Sequence, residues 1–394
     1  MSEDLHKTAS PSSSWLERPL FPSFKLNLEI LLFILLLLAA VFTRLYLLEP
    51  RVMSHDETSH VYFSWLLYRG QGYSHDPITH GPFQFHIVAL SYLLFGDNDF
   101  TARIPAALFS IATIACAWLF RRYLGKIGAL AAGLMLLISP FILYYGRYVR
   151  NEAFVGLSGI ILLYSVLKYL EGGEKRYLYF ATLATLLHFT SKETAFIYTA
   201  QILVYLGIYL IVRVTGQKWQ DRYNLYNLFI ILLAAVVLLA GVGAAFGYVN
   251  RHGTTLSSTQ TAAPADPVTG TTPLTAPLTV SVSTILFIAA AVLLVVAALI
   301  LFFGYGWANL LKERSFDLII LLMSFVFPML IAFPLEWLKS RLNVVIPTDA
   351  GSVAALNERS IFIIGEFTVV FFVIAIAIGL LWNRDWWKYA LVFW

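Results

Sequence analysis

Residues 28–60 read LEILLFILLLLAAVFTRLYLLEPRVMSHDETSH. The first part, 28–48, is apolar over the length of a membrane span, since crossing a hydrocarbon core about 30 Å thick takes about 20 such residues. The last part, SHDETSH at 54–60, consists of seven titratable or hydroxyl side chains in a chain that is otherwise mostly apolar. The span decides the fold. The polar heptad after it raises the question of chemistry.

Composition generalises the span to the whole molecule. Hydrophobic residues make up 59% of the 394 residues and charged residues 13%, with a mean hydropathy of +0.74. Soluble domains carry about 25% charged residues, so this is an integral membrane protein. Its one cysteine, Cys116, lies in an apolar run, which excludes disulfide frameworks and cysteine-based zinc sites. Residues 1–25 are rich in Ser and Pro and read as a disordered or interfacial tail. The run that follows is long enough to be an uncleaved anchor rather than a signal peptide.

Further spans are expected near 102–120, 127–145, 153–170, 177–190, 194–212, 226–248, 281–303, 317–334 and 361–382, with another beginning at about 386. The segment 82–95, PFQFHIVALSYLLF, is shorter and is interrupted by Pro82 and His86, so it reads as an interfacial or re-entrant helix. The expected fold is therefore all-α and polytopic, with about ten to eleven transmembrane spans. The chain ends as KYALVFW, a few residues into an apolar segment, so a C-terminally truncated sequence is expected.

Lys and Arg set the orientation. With a cytoplasmic N-terminus, sixteen basic residues fall inside and eleven outside, while acidic residues divide ten and thirteen. That places a cytoplasmic tail at 1–27 and a transmembrane domain at 28–394. An extracytoplasmic loop with juxtamembrane helices covers 49–101. A Thr-, Pro- and Ala-rich flexible loop occupies 249–280, and another outer loop 335–360.

This topology gathers the unusual residues on one face. Asp56 and Glu57 are adjacent carboxylates at the outer end of the first span. If a helix begins there, Asp56 and His60 share a face. A carboxylate at the membrane boundary loses water, which suits it to take a proton from a hydroxyl. The plainer reading is a solvated acidic loop with Asp56 capping a helix. Arg147 and Arg150 stand three residues apart in YYGRYVRNEAF, a spacing that suits a phosphate. The alternative is snorkelling to lipid headgroups. Lys192 and Glu193 mark another outer turn, TSKE, and the Asn151–Glu152 pair opens the helix after Arg150. Glu366 sits inside a span, where carboxylates mark cavities. SHDPITH at 74–80 repeats the spelling of SHDETSH, but Pro77 holds Asp76 extended, so the two are not structural copies. His55, His75, Asp76 and His80 could hold a divalent metal. No inverted repeat relates the halves, which speaks against a secondary transporter.

The order RLYLLEPRVMSHDE, HGPFQFHIVALSYLLFGDNDFTARIPAALFS, YYGRYVRNEAF and LHFTSKETAF resembles the C-type (GT-C) membrane glycosyltransferases. These include the protein O-mannosyltransferases, the aminoarabinose transferase that modifies lipid A, and the bacterial and archaeal flippase-activity-associated proteins, which the motifs resemble most. The resemblance runs over roughly 40–205 and is a matter of hydropathy beyond that. It implies Asp56 as general base with Glu57 beside it, and Arg147, Arg150 and Lys192 on the phosphate of a polyprenyl-phosphate sugar. His60, His80, Glu152 and Glu193 are supporting residues, and Arg103 and Pro105 are structural. The implied reaction is an inverting transfer to a glycan, lipid or protein hydroxyl on the extracytoplasmic face of the cell membrane. Apart from the metal just named, no cofactor is implied, and no nucleic acid is expected. GRYVRNE is more acidic than the family's usual turn. The competing reading is a flippase or transport component for lipid-linked glycans without transferase activity.

Overall fold

The computed structural model describes residues 19–21, 24–73, 80–217, 219, 222–253, 282–346 and 356–394. Two short strands, β1 (Pro19–Phe21) and β2 (Phe24–Asn27), pair antiparallel where the sequence suggests an unstructured tail. Asn27 then starts α1 (Leu28–Leu45), its side chain accepting from the Ile30 N–H at 2.9 Å. The buried residues of α1 are Glu29, Phe33, Leu36, Ala40 and Arg44, one stripe at helical spacing. Leu35, Leu38 and Phe42 on the other faces are exposed. A helix apolar all round that packs along one stripe presents the rest to lipid.

The chain continues through α2 (His55–Tyr68), α3 (Phe83–Phe95) and α4 (Asp99–Ala115). The corner between α3 and α4 is tight. Gly96 ends α3 at φ 85°, and Asn98 caps α4 in a reciprocal capping box with Thr101. A 3₁₀ segment, Cys116–Phe120, joins α4 to α5 (Arg121–Ile138), and α6 (Pro140–Tyr145) follows. Helices α7 (Glu152–Gly172), α8 (Lys175–Phe189) and α9 (Ala195–Thr215) come next. Helix α4 packs against α3, α7 and α1, and α7 lies along α8.

Eight helices among the described residues are long and apolar enough to cross a membrane, against the ten to eleven spans expected. The difference arises at three places. Residues 99–138 run as one helical stretch of 40 residues, although the backbone breaks at Gly125 (φ 71°, ψ 174°) and the chain doubles back. The reversal is visible in its contacts: a Cβ at Gly133 would lie 3.6 Å from that of Ala117, and Ser110 donates to the Ile142 carbonyl at 3.4 Å. Helix α8 has 15 residues, about 22 Å of rise, and falls short of the hydrocarbon thickness. The segment expected from 386 is an eight-residue helix, Trp386–Phe393. The short helix expected at 82–95 is α3, with 13 residues. The chain is a multi-pass helical membrane protein.

Two compact units divide the chain: Met1–Leu206 with Asp317–Trp394, and Gly207–Phe316. In the first, Asp317 accepts from the Tyr169 hydroxyl at 2.5 Å and the Trp382 indole at 2.6 Å, a pinned polar knot among apolar helices. In the second, Tyr223–Gly253 packs along Val282–Ile300, and Glu313 accepts from Gln217 Nε2 at 3.0 Å and the Tyr305 hydroxyl at 2.9 Å. Residues 332–342 are helical, so part of the outer loop expected at 335–360 is helix. Most of the loop expected at 249–280 lies outside the described residues.

Candidate functional site

Ser54 holds the N-cap position of α2, so Asp56 and Glu57 are first-turn residues and Asp56 is not the cap. Both carboxylates suit the positive end of the helix dipole. Consecutive helical residues point about 100° apart, and the pair divides accordingly. Glu57 turns inward and is 0% exposed, whereas the Asp56 side chain is 51% exposed.

Every oxygen of Glu57 is committed. Arg103, itself fully buried on α4, donates from Nε to Oε1 at 2.7 Å and from a terminal nitrogen to Oε2 at 3.1 Å. Arg51 adds a bond to Oε2 at 2.7 Å, and the Val149 N–H one to Oε1 at 3.2 Å. Arg103 also donates to the carbonyls of Leu48, Glu49 and Arg51. Glu57 therefore knots α2, α4, the chain leaving α1 and the turn before α7. Two guanidiniums and an amide thus occupy the carboxylate, which ties it into the packing rather than leaving it open beside Asp56. Arg51 has no part in the sequence reading, although it stands six residues from Glu57. Its guanidinium also lies 4.9 Å from the Tyr148 ring centre.

The two arginines of the 146–152 turn also have separate roles. Arg147 donates to the carbonyls of Thr43, Tyr46 and Leu47, each at 2.7 Å, closing the C-terminal end of α1. Arg147, expected on the phosphate, thus bonds the end of α1 and none of the carboxylates that Arg150 meets. Arg150 faces the other way and donates to Asp56 Oδ2 at 2.9 Å. Its Nε lies 3.6 Å from Glu152 Oε1, which also receives Lys192 Nζ at 2.7 Å. Asp56, Arg150, Glu152 and Lys192 thus form one row of alternating charge.

The turn after α8 delivers Lys192 and Glu193, and the lead-in to α3 docks on that turn. Gly81 N–H donates to the Ser191 carbonyl at 3.1 Å, and Phe83 N–H to Thr190 at 2.9 Å. The approach needs glycine, because a Cβ at residue 81 would lie 2.1 Å from the Thr190 oxygen. His80 precedes it at φ 69°, a left-handed conformation costly for a histidine, and its Nδ1 meets Glu193 Oε2 at 2.8 Å. His60, one turn beyond Asp56, is 5% exposed. Burial pushes its pKa down to about 4, helped by His80 and Arg150 and opposed by Glu152 and Asp56, so it is neutral at pH 7.

Most of the expected site residues therefore converge: Asp56, His60, His80, Arg150, Glu152, Lys192 and Glu193. No group of three or more metal-ligating side chains occurs among the described residues. His55 is 97% exposed and 3.7 Å from Asp56, while His75 and Asp76 lie outside the described residues. Glu366 is exposed on the Glu358–Trp382 helix, beside Ile361, Phe362 and Val370. Gln84, which the sequence does not single out, and Asn151, expected there only to open the helix with Glu152, are buried polar groups in this region. The one sequence signal for them was a polar residue inside FQF and inside the arginine turn.

A multi-pass helical protein with charged residues gathered between short helices and turns is the class defined so far. A model of the dolichyl-phosphate-mannose-protein mannosyltransferase family matches residues 79–240. The match takes in His80, Arg150, Glu152, Lys192 and Glu193 and begins after Asp56 and Glu57. It extends past the 205 at which the motif resemblance fades, and it supports a glycosyltransferase without selecting the flippase-associated branch. No curated protein and no solved structure matches the chain.

Proposed function

We propose that the protein transfers a sugar from a polyprenyl-phosphate donor to an acceptor hydroxyl on the extracytoplasmic face of the cell membrane. The observation that carries this reading is the division of the Asp56–Glu57 pair. Glu57 is locked in a buried ion-pair network, while Asp56 is half exposed and has one oxygen on Arg150, at the head of a row that continues to Lys192.

In this account the donor phosphate draws Arg150 and Lys192 from their carboxylate partners, which frees Asp56 as the phosphate binds. The acceptor oxygen attacks the anomeric carbon as the bond from that carbon to the phosphate oxygen breaks. The acceptor proton passes to Asp56, and the polyprenyl phosphate leaves with its charge held by Arg150 and Lys192. One displacement without a covalent enzyme intermediate inverts the anomeric centre. The acceptor is a hydroxyl of a glycan, lipid or protein.

The test is transfer in proteoliposomes from a polyprenyl-phosphate sugar to a panel of hydroxyl acceptors, with the product linkage read by NMR. A new glycosidic bond of inverted configuration is expected. Movement of the lipid-linked sugar across the bilayer with no new bond would overturn the reading.

A further inference from the structure

Three neutral polar side chains on α2, α3 and the turn before α7 are buried without partners among the described residues. Gln84 and Asn151 are each 0% exposed, and His60 is 5% exposed. Both side-chain polar atoms of Gln84, both of Asn151 and Nδ1 of His60 make no hydrogen bond among the described residues. Leaving such a group dry and unpaired costs about 1–3 kcal/mol, and native interiors satisfy nearly all of them. Unpaired groups on adjoining segments mark a position that something polar fills.

The three lie on segments that pack against one another: α2 lies along α3, and the turn before α7 meets α2 through the Val149 N–H and Glu57. The His60 ring is 5.6 Å from that of Phe85, the neighbour of Gln84. Val88, one turn beyond Gln84, shares a core cluster with Val149, two residues before Asn151. Asn151 precedes α7 at the position where an asparagine side chain ordinarily caps the helix, yet it makes no capping bond. Its carboxamide is left for another partner.

We propose that Gln84, Asn151 and His60 form a neutral subsite that recognises the hydroxyls of an uncharged sugar on the donor, beside the charged row that meets the donor's phosphate. The proposal rests on the donor class proposed above. Phosphate oxygens only accept hydrogen bonds and draw cations. Sugar hydroxyls both donate and accept, as two carboxamides and a neutral imidazole do. The pairing also has consequences for selectivity, because a site built to hydrogen-bond hydroxyls discriminates strongly against a ligand that lacks them.

The test measures binding to the full chain in lipid nanodiscs. The probes are bare dolichyl phosphate and dolichyl phosphates carrying mannose, glucose or galactose. At least one sugar-bearing probe is expected to bind about ten-fold tighter than the bare lipid or better. Gln84→Leu and Asn151→Leu should each abolish that preference while leaving the bare lipid's affinity unchanged, which also shows that the variants fold. A variant that loses the bare lipid is replaced by Gln84→Met or Asn151→Ser, and a preference that survives there overturns the proposal. A wild-type protein that binds bare lipid and shows no sugar preference overturns the subsite alone. If no probe binds, the donor reading fails and the subsite with it.

Discussion

Arg103 grips both oxygens of Glu57, and neither side chain has any exposure to solvent. Removing one partner leaves a buried charge unpaired, which costs about 3–5 kcal/mol. Glu57→Ala and Arg103→Ala should each lower the thermal unfolding midpoint in detergent sharply. The double substitution should cost less than the sum of the two. Additive losses would show that the pair is not coupled.

The arginines of the 146–152 turn should fail in different ways. Arg147→Ala removes bonds to three carbonyls at the end of α1 and should lower the unfolding midpoint, since bonds to a charged group contribute roughly 1.5–3 kcal/mol each. Arg150→Ala should leave the midpoint nearly unchanged and slow transfer about 10²-fold, through lost stabilisation of the phosphate charge. Measuring melting and transfer on both variants checks the separation. Equal behaviour would contradict it.

Gly81→Ala places a methyl group 2.1 Å from the Thr190 carbonyl oxygen. The lead-in to α3 must then leave the turn that carries Lys192 and Glu193, at a cost of about 1–3 kcal/mol. Faster hydrogen exchange at the amides of Gly81 and Phe83, which bond across this junction, is the expected readout.

His60 gives the stability a pH dependence. Its pKa is near 4 in the folded protein and 6.5 as a free side chain, so the unfolded chain binds the extra proton between those values. Its contribution is fully present above pH 6.5 and is lost as the pH falls through 4, a loss of about 3 kcal/mol at 1.36 kcal/mol per unit. Unfolding followed from pH 7 to pH 4 should show this slope, and His60→Gln should flatten it. An identical slope in the variant would place the titration elsewhere.

The spans were legible because an apolar run of twenty residues has few alternatives. The reversal at Gly125 was legible only as a gap between two runs, because neighbouring glycines and basic residues do not reveal a positive φ. Clustering of the site was legible in part: Asp56, Arg150 and Lys192 stood out as charges in an apolar chain. What single-sequence reading missed was partnership. Arg147 and Arg150 look alike in GRYVRNE, as do Asp56 and Glu57 in SHDE. Their roles diverge because residues on one turn point to different surroundings, and those surroundings come from segments some 50 to 100 positions away. Gln84 escaped notice for the same reason, and Asn151 was legible only as a helix-opening residue, since nothing in FQF or RNE says that their amides go unpaired.

The most direct test of the central claim is the rate of sugar transfer by Asp56→Asn in proteoliposomes, measured with donor binding on the same preparation. Asn keeps the shape of a half-exposed side chain but cannot accept the proton. The account predicts transfer slowed by about 10²–10⁴-fold, with the donor bound about as tightly as before and folding unchanged. Transfer at the wild-type rate would contradict the assignment of Asp56 as the base.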